Sequence, residues 1–257
     1  MLIELWDKYF SIERNVTERA IDSVKIDFHL HDNYEIYLFL SGGVRYFIEK
    51  SSYDLVPGDI LLIRPGEIHK AAFTTNDTYE RIVCNFSKEL VKLFSTDDTS
   101  LSHCYQNRPH GEKNRLNSTD DEKNELIALF EKMFILNTYP QPWNTQLMIA
   151  GFLEAMVKIN RVFADETRHS VNHLQHRKLR PILEYIDANL EGNLSLGTLE
   201  KKFYITGSYL CQIFKQTTGS TLHEYIIYKR ISRAKQLLLK GDTAANASFK
   251  CGFSDYS

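Results

Sequence analysis

From Leu194 to Gly219 the chain reads L-S-L-G-T-L-E-K-K-F-Y-I-T-G-S-Y-L-C-Q-I-F-K-Q-T-T-G, with apolar residues at helical spacing in two short runs. Ser195 is placed to cap the first run, whose Leu196, Leu199 and Phe203 are expected to face inward. Tyr204-Ile205 is the turn and Thr206 the next cap. Leu210, Ile213 and Phe214 form the buried stripe of the second run, and Gly219 ends it. Thr221-x-x-Glu224 is a capping box that opens a long helix to Leu239. A helix from about Lys178 to Asn189 precedes this unit, with Ile182, Leu183 and Ile186 on its apolar face. Gly241-Asp242 breaks the long helix, and Thr243 to Cys251 reads as helix again. Two short amphipathic helices at a tight turn can lay one of them in a DNA groove, which points to gene regulation rather than chemistry.

Charge supports that direction. From Arg177 onward there are 12 Lys and Arg against 7 Asp and Glu, while the rest of the chain has 19 against 26. A basic end beside an acidic body favours a polyanionic partner. A length of 257 residues suits two modest domains, and 43% hydrophobic with 25% charged residues is ordinary for a soluble globular protein. No apolar run approaches the ~20 residues that span a bilayer. Glu4, Asp7 and Lys8 interrupt the apolar N-terminus, so no secretory leader is expected and cytoplasmic residence is. Cys84, Cys104, Cys211 and Cys251 are scattered, which fits a reduced compartment and excludes a zinc ribbon or disulfide scaffold.

Residues 24–87 read as short strands between Gly and Pro turns. Val24 to Phe28 alternates, Ile36 to Leu40 is a buried-type run, and Arg45 to Ile48, Ile60 to Ile63 and Tyr79 to Phe86 follow. This spacing predicts an antiparallel sandwich or barrel. Residues 97–119 are polar and read as a loop. Thr119-x-x-Glu122 opens a helix carrying Leu126, Leu129, Phe130, Met133 and Phe134, which Pro140 and Pro142 end. A second helix carries Leu147, Ile149, Phe152, Leu153, Met156, Val157 and Ile159. This pair is expected to cover the barrel or to form a dimer seam. Asp165 to His176 is polar and reads as a linker.

The C-terminal part resembles the AraC-type family of bacterial transcription regulators. The resemblance rests on S-L-x-x-L at Ser195–Leu199, Y-L-x-x-x-F-K at Tyr209–Lys215 and T-G at Thr218-Gly219. It extends through E-Y at Glu224-Tyr225, R-I-x-x-A-x-x-L-L at Arg230–Leu238 and G-F-S-D-Y-S at Gly252–Ser257. It implies two helix-turn-helix units joined by the long helix, with base contacts from Ser208, Cys211 and Gln212. By chemistry, Gln212 can read adenine and Lys215 can meet phosphate or guanine, while Arg230 and Arg233 are expected to form ion pairs within the fold. Glu200, Ala244 and Ser248 depart from the family's usual Ala, large aliphatic and Ala. The family pattern continues past Ser257, so the second unit is expected to be truncated and DNA binding to fall mainly to the first.

Upstream, His29-x-His31-x3-Glu35-x6-Gly42 and Gly58-x10-His69 resemble the two cupin motifs. In metal cupins the matching positions ligate a transition metal. His29 and His31, two apart, share one strand face, and three imidazoles with a carboxylate would suit such an ion. Phe73 stands where metal cupins usually carry Asn. The expectation is therefore a cofactor-free, metal-free pocket in which His29, His31, Glu35, His69, Tyr37 and Arg64 bind a small organic ligand. Phe39 and Tyr46 are further candidates for its wall.

The resulting expectation is an α+β chain of two domains, with a cupin-like antiparallel β-barrel over 1–118 and a helical pair over 119–164. A linker over 165–176 and a helix-turn-helix DNA-binding domain over 177–257 complete it. The function expected is a DNA-binding regulator, not an enzyme, that responds to a small polar metabolite such as a sugar. The expected partners are promoter DNA, that effector, a second copy of the chain and RNA polymerase, with no membrane. A metal-dependent cupin enzyme, or a regulator acting only through sensing and dimerisation, is the alternative.

Overall fold

A computed structural model describes residues 2–18, 26–96, 98–165 and 179–253. The first helix, α1 (Leu2–Tyr9), leads into β1 (Phe10–Thr17). Then follow β2 (Tyr34–Ser41), β3 (Val44–Ile48), β4 (Ser51–Asp54), β5 (Ile60–Ile63), β6 (His69–Phe73) and β7 (Tyr79–Phe86). They form two antiparallel sheets, one ordered β1-β7-β2-β5 and one ordered β4-β3-β6. Neither α1 nor β1 is expected from the sequence, because F-S-I-E-R-N-V-T carries too few apolar residues to read as strand. The expected strand over Val24 to Phe28 is not seen in its described part, residues 26–28. There the chain makes a single bridge, His29 to His69.

The two-residue period of the strands sorts side chains into three cores. Ile82, Cys84 and Phe86 of β7, with Tyr34, Ile36 and Leu38 of β2, turn outward. They meet α4 (Asp120–Thr138) and α5 (Asn144–Ala164), so the helical pair covers the four-stranded sheet. Tyr37, Phe39, Tyr46, Leu61, Ile63 and Tyr79 turn inward between the sheets. This explains why Ile36 to Leu40 is apolar at every position: both faces are covered. Leu147 and Val157 do not join the core as expected, at 48% and 41% exposure, because they lie off the α5 stripe that meets the sheet.

Between β7 and α4 run α2 (Lys88–Phe94) and α3 (His103–Gln106), the second within the stretch read as loop. The expected linker lies, apart from Asp165, outside the described residues. The C-terminal helices are α6 (Arg180–Ala188), α7 (Leu196–Phe203), α8 (Gly207–Thr218), α9 (Leu222–Leu239) and α10 (Ala244–Lys250). Ser195, Thr206 and Thr221 cap α7, α8 and α9 as expected, with full capping boxes on α4 and α9. Leu199, Leu210 and Phe214 are buried, but Leu196, the first residue of α7, is 40% exposed.

A third core joins the two halves of the chain. Phe28, Phe47 and Ile68 of the β domain pack with Leu183, Phe214 and Tyr225 of the helices. Tyr225 sets its ring 5.6 Å from Phe28 and 6.1 Å from Phe47. The molecule is thus layered as helix pair, four-stranded sheet, three-stranded sheet and helical module. Among the described residues no helix is long and apolar enough to cross a membrane.

Candidate functional site

Between the sheets the inward side chains do not fill the space. They leave a cavity of ≈ 200 Å³, with Tyr37 and Glu35 from β2, Tyr79, Arg81 and Val83 from β7, and Tyr46 from β3 on its wall. Glu13 and Asn15 of β1, with Ile26, His29 and Ala71, complete the lining. The Tyr37 and Tyr79 hydroxyls lie 2.5 Å apart. Burial holds the Tyr37 and Tyr46 phenols well above their usual range, and that of Tyr79 at about 12, so all three stay protonated donors.

The histidines sit beside this cavity, and their protons follow from their neighbours. Each ring turns Nδ1 to a carbonyl, His29 to Asp27 at 3.2 Å, His31 to Asn33 at 3.0 Å and His69 to Glu67 at 2.9 Å. A carbonyl only accepts, so each Nδ1 carries a proton. His31 Nε2 lies 2.8 Å from Glu35 Oε2 and must donate as well, which makes His31 an imidazolium. Burial opposes that charge, but the hydrogen bond and charge of Glu35 outweigh it and raise the His31 pKa. The same contacts outweigh the burial of Glu35 and lower its pKa. Burial holds His69 at about 4, hence neutral, with a lone pair on a buried Nε2 that has no hydrogen-bond partner.

His31, Glu35 and His69 bring their ligand atoms within 4.8 Å of one another. With each Nδ1 anchored to a carbonyl and Nε2 of His69 unpartnered, these donors would fit a divalent transition metal that displaced the Nε2 proton of His31. His29 stands apart from that trio, though its ring lies 4.1 Å from that of His69. Phe73 packs edge-on to Tyr79, with ring centroids 5.1 Å apart. Of the expected pocket residues, His29, Glu35 and Tyr37 line the cavity and His31 and His69 adjoin it through Glu35. Arg64 does not belong there. It lies 3.4 Å from Glu67, on the turn before β6, drawn away by that carboxylate. Arg81 and Tyr79, with Val83, are the wall residues of β7 that sequence reasoning missed. The β7 alternation places them opposite the apolar Ile82 and Cys84, and that was the available signal.

The second candidate surface is α8. Ser208, Cys211, Gln212 and Lys215 are all exposed on one side of it, opposite Leu210 and Phe214. Its far end rests on the three-stranded sheet. Lys70 donates to the Gly219 carbonyl at 2.9 Å and also to Ser220, and Arg45 reaches the Gln216 carbonyl at 3.4 Å. Two cations therefore meet the carbonyl end of this helix, where its dipole favours them. Arg233 pairs with Glu191 as expected. Arg230 instead donates to the Leu190 and Gly192 carbonyls, because the chain after α6 presents backbone rather than a carboxylate there.

Residues 17–171 match the family model for an AraC-like ligand binding domain, and residues 199–257 match a helix-turn-helix domain. The HTH-type transcriptional regulator YbfI of Bacillus subtilis is 25% identical over 231 residues, 89% of this chain and 79% of that protein. The HTH-type transcriptional activator RhaR of Mannheimia succiniciproducens is 23% identical over 249 residues, 96% of this chain and 86% of its own. The lactose operon transcription activator of Staphylococcus xylosus is 23% identical over 267 residues, 98% of this chain and 88% of its own. ToxT from Vibrio cholerae aligns over 96% of this chain and 90% of its own at 12% identity, with a TM-score of 0.39, too low to establish a shared fold.

Proposed function

The chain belongs to the AraC-type DNA-binding transcription regulators, and we propose that its β-domain cavity takes up a small polar metabolite of the carbohydrate class as effector. The observation that carries this reading is the cavity itself, a space of ≈ 200 Å³ open on one side to solvent and walled by three tyrosines, Glu35, His29 and Arg81. Effector sites of drug size run to about 300–1,000 Å³, so this one suits a small molecule. Phenol donors and the Glu35 acceptor match hydroxyl groups. One relative is named for a lactose operon, which agrees with a sugar as ligand.

In this reading α8 enters the major groove. Gln212 reads a base, Ser208 and Cys211 lie against the groove floor, and Lys215 meets phosphate. Gln212→Ala is expected to relax specificity at one base pair, by about 1–3 kcal/mol, in binding to a selected operator. Lys215→Ala is expected to weaken binding evenly across sequences and to flatten the salt dependence by about one unit of slope. Unchanged affinity and selectivity in both variants would remove α8 from the interface. A second copy of the chain, docked on α4 and α5, RNA polymerase and a cytoplasmic setting complete the proposal.

A metal is a second reading, favoured by the anchored Nδ1 atoms of His31 and His69. His31, Glu35 and His69 would hold it, and it would supply a Lewis acid for a ligand oxygen. We propose that it is not required, because His31 and Glu35 already neutralise each other at 2.8 Å. Protein purified without added metal should keep its melting temperature and effector response in a chelator. Stoichiometric metal, with loss of fold on chelation, would reverse this.

A further inference from the structure

Arg81 is the one Lys or Arg among the described residues on the cavity wall. Its Nη1 is buried and has no hydrogen-bond partner. The guanidinium is held against the Tyr79 ring, with its carbon 4.6 Å from the ring centroid. Other arginines of the β domain are matched. Arg108 has Glu67 at 2.7 Å, and Arg45 has Asp54 at 2.6 Å. A buried N–H of a charged group left without a partner is costly even when the rest of the side chain is half-buried, so this one is open to an acceptor that arrives.

Within the carbohydrate reading on which this rests, we infer that the effector is a sugar acid, a polyhydroxylated carboxylate whose anionic group meets Arg81. A carboxylate is a planar acceptor-only anion, and a guanidinium nitrogen already fixed by stacking meets it without further ordering. The hydroxyls of the same ligand meet Tyr46 and the Tyr37–Tyr79 pair. A phosphate fits less well. It carries nearly two charges, and a single arginine beside Glu35 and Glu13 would leave it under-neutralised. Glu35 does not cancel Arg81, because His31 already pairs with it at 2.8 Å.

Calorimetry on the full chain tests this with glucuronate, galacturonate and gluconate, their neutral counterparts glucose and galactose, and glucose 6-phosphate. At least one acid should bind at least about tenfold more tightly than its neutral counterpart, as expected for one hydrogen bond to a charged group. Arg81→Met should erase that preference, so that each acid and its neutral counterpart bind with equal affinity. Arg81→Lys keeps a cation and should fall between, and circular dichroism checks that both variants fold. Val83→Phe, which fills the cavity, should abolish all binding. If a neutral aldose or the phosphate binds wild type best and is lost in Val83→Phe, the acid inference fails while the cavity remains the effector site. An acid preference that survives in folded Arg81→Met likewise removes Arg81 alone. Binding of none of these compounds, or binding that survives Val83→Phe, overturns both.

Discussion

Glu67 accepts more hydrogen bonds than a surface carboxylate could gather. Arg108 reaches both of its oxygens, at 2.7 and 2.9 Å, and the Gly111 and Arg64 amides and the Asn114 side chain supply the rest. Its carbonyl in turn anchors the His69 ring, so the pair fixes the edge of the cavity. Burial would raise the Glu67 pKa, but the hydrogen bond and charge of Arg108 overcome it and hold the group at about 2. Arg108→Met strands a buried carboxylate and should cost about 3–5 kcal/mol in denaturant unfolding. A depressed carboxylate pKa contributes stability above its unfolded value, near 4.3, that is lost as pH falls toward 2. The gap between wild type and Arg108→Met should therefore narrow across that window, and a constant gap would contradict the assignment. Nothing in N-R-P-H-G-E-K-N distinguishes this arginine from a solvated one. Its partner lies 41 residues away, and only the folded chain brings the two together.

Elements were legible where one face is apolar and the ends are capped. The Thr119 and Thr221 capping boxes are formed as the sequence predicts, and Gly219 takes the left-handed conformation at the end of α8. Exposure across α4 and α5 was not legible, since the same apolar residues suit a core or a seam. Ile135, Tyr139, Trp143 and Leu147 stand 55%, 68%, 74% and 48% exposed near the junction of the two helices. A second copy covering this face would bury them. Wild-type protein should sediment as a dimer at micromolar concentration. Trp143→Glu should weaken the dimer by about 2 kcal/mol or more, the cost of losing an aromatic anchor. A wild-type monomer at that concentration would place the dimer contact elsewhere or nowhere.

At the scale of the molecule, one strand faces both functions. In β6, His69 turns toward the cavity histidines while Lys70 holds the end of α8. Beside it, Glu49 accepts the Ile68 amide at 2.8 Å and pairs with Lys229 of α9 at 2.7 Å, and Lys229 lies 3.0 Å from Asp187 of α6. Lys235 reaches Asp32, next to His31, at 2.6 Å. A ligand that shifts β6 therefore acts on contacts with the DNA-binding helices, and coupling of this kind is reciprocal. Lys229→Met leaves two carboxylates facing each other in the interface. It should cost about 3–5 kcal/mol and speed hydrogen exchange in α9 while the β domain stays protected. The effect of bound ligand on DNA affinity should shrink with it. Full ligand response in that variant would mean that the two halves communicate by another route.

The sequence by itself determined the periods: two residues over 34–86 and 3.6 residues after 119. With them came the caps, the turn at Tyr204-Ile205 and the outward positions of Gln212 and Lys215. These depend on near neighbours in the chain, which a local pattern records. Only the tertiary structure decided that Arg81 faces a cavity, that Arg64 belongs to Glu67, and that the two halves share a core through Phe28, Phe47 and Tyr225. Each of those outcomes depends on groups far apart in the chain. A charged residue looks the same in sequence whether water, a carboxylate or an open cavity comes to face it.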